Sequence, residues 1–458
     1  MLSDGTDSVD ASWDGSQRLR PRWSQRRSLG RNVIWTLSGN TGLAISQWLM
    51  LVVVAKLGQP AQVGQYALAL GLTAPVMLLA SLNLRAVQST DIRNDHPFVS
   101  YLRLRLCTTV VALVVCLAIA RVASLSTGTA LVVGFVALAK ASESVSDVFY
   151  GRLQQREQMD RIAISMVARG VLSLLAMTIM MWTTGSVVWG ACGVLLSWLA
   201  MLVIYDIQTA GDGPGTIALH RELAGGWGWH GLRALLPLAW LAAPLGGVQM
   251  LISLNTNIPR FFIQAVAGEY ELGIYAAIAY VTMAGSTFVA AIGQAASPRL
   301  ARLFADGDRA GFIRLLQRLV AFFLASCVVA IAIVLVAGDA LLSYLYTPAY
   351  AAHASLLLLF TISFGVGAIV SVCGFGITAA RRFRPQVPVV AVAVLAVTAA
   401  SAVLVPRFGI LGAAWAVLIS LIVWAFGAGW VLRSVLTDVR ASAGRADVRP
   451  VGMEATKP

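Results

Sequence analysis

A chain of 458 residues with 58% hydrophobic and only 12% charged residues, and a mean hydropathy of +0.78, does not stay in water as a globular domain. Its net charge of +13 is scattered along the chain instead of being gathered on one domain with aromatic platforms, which argues against nucleic acid as a partner. The composition is that of an integral membrane protein.

Residues 1–30 mix Asp, Ser, Gly and Arg without apolar periodicity, and read as a disordered basic tail. A span needs about 20 apolar residues, and candidates fall at 32–55, 63–84, 104–124, 130–150, 162–183 and 187–206. A polar linker follows over 207–232, with Gly211, Asp212, Gly213, Pro214 and Gly215 at its start. Further spans are expected at 234–257, 272–297, 315–337, 353–379, 387–405 and 409–432, and a second polar tail over 434–458. The expected fold class is therefore all-α membrane protein, about twelve helices in two six-helix lobes over 31–206 and 233–433.

Positive charges in short loops stay on the cytoplasmic side. With a cytoplasmic N-terminus, the outer loops keep only Lys56, Arg121, Arg260 and Arg407 of the 34 lysines and arginines. Both termini are thus expected in the cytoplasm. The five cysteines have unrelated spacings within apolar spans and the four histidines lack ligand spacing, so neither a disulfide framework nor a metal site is expected.

One phrase recurs. Gly58-Gln-Pro-Ala-Gln-Val-Gly64-Gln-Tyr66 is echoed by Gly268-Glu-Tyr-Glu-Leu-Gly273-Ile-Tyr275, and Val188-Trp-Gly190-Ala191 by Ile410-Leu-Gly412-Ala413. Offsets of roughly 205 to 225 residues are too long for a solenoid and fit two homologous halves.

Polar groups within spans default to a cavity or a partner helix. In the first span Asn40 and Gln47 belong to one polar stripe with Asn32, Thr36 and Ser46. In the seventh, Gln249, Ser253, Asn257 and, at its outer end, Arg260 draw the matching stripe. The fourth span places Lys140, Glu143, Ser144 and Asp147 on one face, and the fifth carries Arg169. Counted inward at 1.5 Å per residue, Lys140 lies roughly 15 Å deep and Glu143 and Arg169 about 10 Å deep, at a level where these two can pair across adjacent helices. Lys140 is the deepest candidate anion ligand. Pro75 and Pro244 are expected to kink their helices.

Three further stretches resemble one family. Ala296-Ser-Pro298-Arg-Leu300-Ala-Arg302 through Asp306-Gly307-Asp308 to Arg318, the segment Phe408-Gly409-Ile-Leu-Gly412-Ala-Ala414, and the Gly-x-Tyr elements at Gly64 and Gly273 are similar to the Wzx-like polysaccharide flippases of the MOP superfamily. The resemblance covers about residues 30 to 435. It implies a MATE-like V-shaped bundle and, as cargo, an undecaprenyl-pyrophosphate-linked oligosaccharide moved across the inner membrane by alternating access, its lipid tail remaining in the bilayer. A glycan polymerase, a chain-length regulator and membrane lipids are the partners it implies, with no cofactor and no enzymatic step. Arg31, Arg85 and Lys140 are the expected pyrophosphate ligands, and Glu143, Asp147 and Arg169 an ion-coupling or charge network. Export of a drug or of a peptidoglycan lipid precursor is the alternative, and a membrane glycan polymerase or ligase a more distant one.

Overall fold

The computed structural model describes residues 29–91, 96–210, 231, 233–380, 382 and 384–446. The tail expected over 1–30 lies outside the described residues save for its last two positions, as do most of the linker over 207–232, the end of the tail over 434–458, and Arg93, Arg221 and Arg381.

Helices account for nearly every described residue. The first half comprises α1 (Leu29–Leu57), α2 (Pro60–Ser81), the short α3 (Leu84–Thr90), α4 (Phe98–Val122), α5 (Thr127–Gln155), α6 (Met159–Thr184) and α7 (Val187–Met201). A π-turn over Leu202–Asp206 leads from α7 to α8 (Ile207–Ala210). The second half comprises α9 (Leu236–Val266), α10 (Gly268–Ala305), α11 (Arg309–Leu345), the single turn α12 (Pro348–Ala351), α13 (Ala354–Ala379) and α14 (Gln386–Ala446).

Eleven helices among the described residues are long and apolar enough to cross a membrane. The last of these breaks at Gly409, whose φ of 55° and ψ of −133° are open to glycine and strained for a side chain, so α14 supplies two crossings and the total is twelve. The sequence reading separated these two spans by a loop at 406–408; here helical backbone continues through Pro406 up to the break. Beyond residue 433 the helix also runs on to Ala446, where a polar tail was expected. Neither Pro75 nor Pro244 interrupts its helix. Elsewhere the ends follow local chemistry: Pro60 opens α2 where no amide donor is needed, the Ser126 hydroxyl caps α5 by accepting from the Thr129 amide at 3.3 Å, and Asp308 caps α11 by accepting from Gly311 at 2.8 Å.

Short connections force consecutive helices to run antiparallel, so one end of the bundle collects Arg85, Arg103, Arg156, Arg302, Arg309 and Arg384 while the other holds Lys56, Arg121 and Arg407. We term these the basic end and the far end. Within the first half α6 packs on α1 and α7, and α5 on α2, α4 and α7; within the second, α14 packs on α9 and α13, and α13 on α10 and α11. The halves meet chiefly where α2 packs on α9 and α10.

That meeting is pseudo-symmetric and rests on the echoed glycines. A Cβ placed on Gly64 would run into the carbonyl oxygen of Glu269, and one on Gly273 into the carbonyl oxygen of Pro60. Residue 60 stands to 64 as 269 stands to 273, so the contact is isologous, the same patch facing itself across the two halves. Around it Gln65 donates to Glu269 Oε2 at 2.9 Å, Thr129 donates to Glu269 Oε1, and the Lys56 ammonium lies 5.7 Å from the Tyr344 ring centroid. These contacts join the halves at the far end.

Gly64→Ala and Gly273→Ala should each lower stability by about 1–3 kcal/mol through overpacking, whereas Gly134→Ala, whose added Cβ meets nothing within 4 Å, should be neutral or slightly stabilising. Thermal unfolding of the purified variants in detergent checks this; equal melting temperatures for all three would contradict the packing described.

Candidate functional site

Between the halves lies a cavity of about 740 Å³, within the range of small-molecule sites. From the first half it is lined by Gln47 and Met50 on α1, Tyr66 and Leu70 on α2, Lys140 on α5 and Trp198 on α7. The second half contributes Asn257 and Arg260 on α9, Tyr275 and Tyr280 on α10, Phe360 and Phe364 on α13, and Trp424 on α14. Tyr66 and Tyr275, the tyrosines of the echoed phrase, thus stand as counterparts in the two walls.

Arg260 overturns its sequence placement. Pro259 and Arg260 read as an outer loop after a span ending at 257, yet α9 continues to Val266 and carries Arg260 into the cavity wall, 7% exposed. Gly71 on α2 makes the room: a Cβ there would press on Asn257 Oδ1 at 3.1 Å and lie 3.5 Å from Arg260 Cδ. The guanidinium sits 5.5 Å from the Tyr280 ring centroid, and among the described residues it makes no ion pair and no hydrogen bond, its Nε being buried without a partner. A desolvated cation in that condition is costly unless an anion joins it. Nearby, the Asn257 amide donates to the Ser253 carbonyl at 2.9 Å, and Asn255 accepts from Ser420 at 2.6 Å.

The other intramembrane cations are paired. Lys140 lines the cavity, donates to Glu143 at 2.8 Å and lies 5.1 Å over the Trp198 ring. Arg169, 1% exposed, donates to Asp206 at 2.7 Å and to Ser146 at 2.6 Å, and faces the rings of Trp198 and Tyr150. Ser165 donates to the other Asp206 oxygen at 2.5 Å. The pairing of Glu143 with Arg169 across helices is therefore replaced by two separate pairs. Glu143 takes the lysine three residues before it on its own helix, and Arg169 takes a carboxylate that the π-turn after α7 turns inward. Asp147 serves two arginines, Arg85 at 3.5 Å and the fully buried Arg105 at 3.2 Å. Arg85 also donates to Gln154 at 3.0 Å.

The polar stripes divide. Gln47 and Asn257 reach the cavity, whereas Asn40 is exposed and Gln249 and Ser253 are absent from the lining. Arg31 is exposed near the start of α1, and Arg85 stays at the basic end outside the lining. Sequence reasoning passed over Asp206, Arg105, Trp198 and Tyr280. Asp206 closes an otherwise apolar run and Arg105 opens one, and a lone charge at that position was the available signal.

A sequence profile of the family described as polysaccharide biosynthesis protein matches residues 29–304, more than half of the chain. The chain belongs to this family. It is 28% identical over 396 residues to the capsular polysaccharide biosynthesis protein CapF of Staphylococcus aureus, an alignment covering 85% of this chain and 96% of that protein. Among solved structures it is similar to a multidrug resistance MATE family transporter of the MOP superfamily in its outward-facing conformation, with a TM-score of 0.60 and 15% identity, and to one in the inward-facing conformation, with 0.61 and 16%. Each alignment covers 90% of this chain and 96% of the other. The fold is that of the MATE transporters.

Removing one partner of a fully buried ion pair strands the other, at a cost of about 3–5 kcal/mol, whereas a partly exposed pair contributes about 0–1 kcal/mol. Asp206→Ala should accordingly lower the melting temperature far more than Glu143→Ala. Comparable shifts in the two variants would contradict the buried assignment of the Arg169–Asp206 pair.

Proposed function

We propose that this protein exports a lipid-linked oligosaccharide, joined to its isoprenoid carrier by pyrophosphate, across the bacterial inner membrane, with the basic end and both termini in the cytoplasm. The observation that carries the reading is Arg260, a buried and uncompensated cation in the wall of a cavity between two pseudo-symmetric halves. Family membership and the name of the CapF relative support a role in surface glycan synthesis, and the fold supports transport.

Charge balance points the same way. The cavity lining holds two cations, Lys140 and Arg260, and no carboxylate. A cavity so lined is suited to a pyrophosphate and ill suited to a cationic drug.

In the conformation described, the head group enters from the basic end and meets Arg260, with Lys140 on the opposite wall. Separation of the halves at Gly64 and Gly273 then opens the far end. Moving about two negative charges outward along the membrane potential releases roughly 4–5 kcal/mol at 100 mV, so the potential suffices as a driving force and no covalent chemistry is needed.

Loss of a hydrogen-bonded charge contact costs about 1.5–3 kcal/mol. Arg260→Ala should therefore slow translocation of a fluorescent lipid-linked oligosaccharide in proteoliposomes by about 10- to 100-fold, while Arg260→Lys retains part of the rate. Wild-type transport by Arg260→Ala would remove the proposed head-group site.

A further inference from the structure

The cavity is lopsided. Where it approaches the basic end its lining comes from the second half alone, through Gly374 and Ile377 on α13 and Gln386, Val389, Ala428 and Val431 on α14. Along α13 the lining runs from Phe360 to Ile377, about 25 Å at the helical rise. This part of the cavity is a trough inside the second half, continuous with the space beside Arg260.

Its chemistry favours an apolar occupant, Gln386 and the Trp424 indole being its polar side chains besides serine. None of its lining residues is charged, and its serines are satisfied within their own helix, Ser371 donating to the Gly367 carbonyl and Ser363 to the Leu359 carbonyl, each at 2.9 Å. A sugar or phosphate would find few donors there and no cation.

The glycines of the trough differ from those that join helices. Small residues in membrane helices ordinarily permit close packing, and Gly64, Gly246 and Gly273 do so here against backbone atoms of neighbouring helices. Gly374, by contrast, has no atom within 4 Å of an added Cβ, and at Gly367 the nearest is Leu421 at 3.9 Å. These two positions, a helical heptad apart on one face of α13, widen a groove instead of seating a neighbour.

We propose that the trough holds the hydrocarbon chain of the transported amphiphile while its anionic head group sits at Arg260. Because this rests on the export reading, the occupant is the isoprenoid chain of the cargo itself, and the expectation that the chain stays wholly in the bilayer is replaced. Arg260 lies about 9 Å from the far end of α9, and the trough leads from there toward the basic end. A lipid held so, head toward the far side and chain pointing back, has the orientation of a lipid in the far leaflet. The protein thus turns the chain over together with its head.

The test uses the full-length protein in proteoliposomes and a farnesyl pyrophosphate analogue carrying a diazirine at the end of its chain. After irradiation, adducts should map to the α13 and α14 segments around Gly374–Ile377 and Trp424–Val431, and unlabelled farnesyl pyrophosphate should protect them. Adducts confined to outward residues such as Val392 and Leu395 would overturn the proposal. So would trough adducts formed equally by a diazirine phospholipid and not displaced by farnesyl pyrophosphate, which would make bilayer lipid the occupant. Gly374→Leu, which fills the trough, should reduce labelling and transport at least tenfold while inorganic pyrophosphate binding is unchanged; transport at the wild-type rate would count against the trough. If wild-type protein labels in the trough but moves no lipid-linked oligosaccharide, the export reading fails and the chain site stands.

Discussion

Two peptide backbones touch where the halves of this protein meet, and no side chain fits between them. The contact of Gly64 with the Glu269 carbonyl and of Gly273 with the Pro60 carbonyl fixes the crossing of α2 with α10, and that crossing sets everything below it. Tyr66 and Tyr275 are carried into opposite cavity walls, and Glu269 is brought between Gln65 and Thr129. A close backbone approach relies on van der Waals packing and a few hydrogen bonds, with little hydrophobic drive in a bilayer. It is firm enough to seal one end and weak enough to part.

Charge placement follows from the cost of ions in a low-dielectric interior. Arg169 and Asp206 neutralise one another behind the wall, with Ser146 and Ser165 completing the hydrogen bonds, and Arg105 and Arg85 share Asp147 near the basic end. Trp198, with Lys140 and Arg169 near its ring, separates the cavity from this buried pair and helps hold the lysine beside Glu143. Only Arg260 departs from the pattern among the described intramembrane cations, and its departure locates the site. The apolar trough beside it gives the same cavity two chemistries, one for a charged head and one for a chain.

Much of the fold was legible in the sequence because a bilayer simplifies the problem. Apolar runs long enough to span, loops sorted by charge and an echoed Gly-x-Tyr phrase lead to a duplicated twelve-span bundle before any coordinate is seen. The site was less legible, for identifiable reasons. Pro259 and Arg260 end an apolar run, and a proline followed by a charge reads as the end of a helix, but Gly71 on a distant helix leaves space for both helix and guanidinium to continue. Asp206 reads as the last residue of its span, at the edge of the linker, because nothing local signals the π-turn that directs it toward Arg169. Asn40 and Gln47 share a stripe in sequence, yet only Gln47 reaches the cavity, since the stripe is longer than the cavity wall it faces. Pairing within a helix, as for Lys140 and Glu143, is readable from spacing; pairing between helices depends on their rotation, which a single sequence does not encode locally.

The central claim is that the cargo leaves through a far end that the glycine crossing holds shut in the present structure. The most direct measurement joins that end covalently, by oxidising a cysteine pair introduced through Gln65→Cys and Glu269→Cys, and follows export in proteoliposomes before and after reduction. The account predicts that the cross-linked protein does not export and that reduction restores the rate. Undiminished export by the fully cross-linked protein would contradict it.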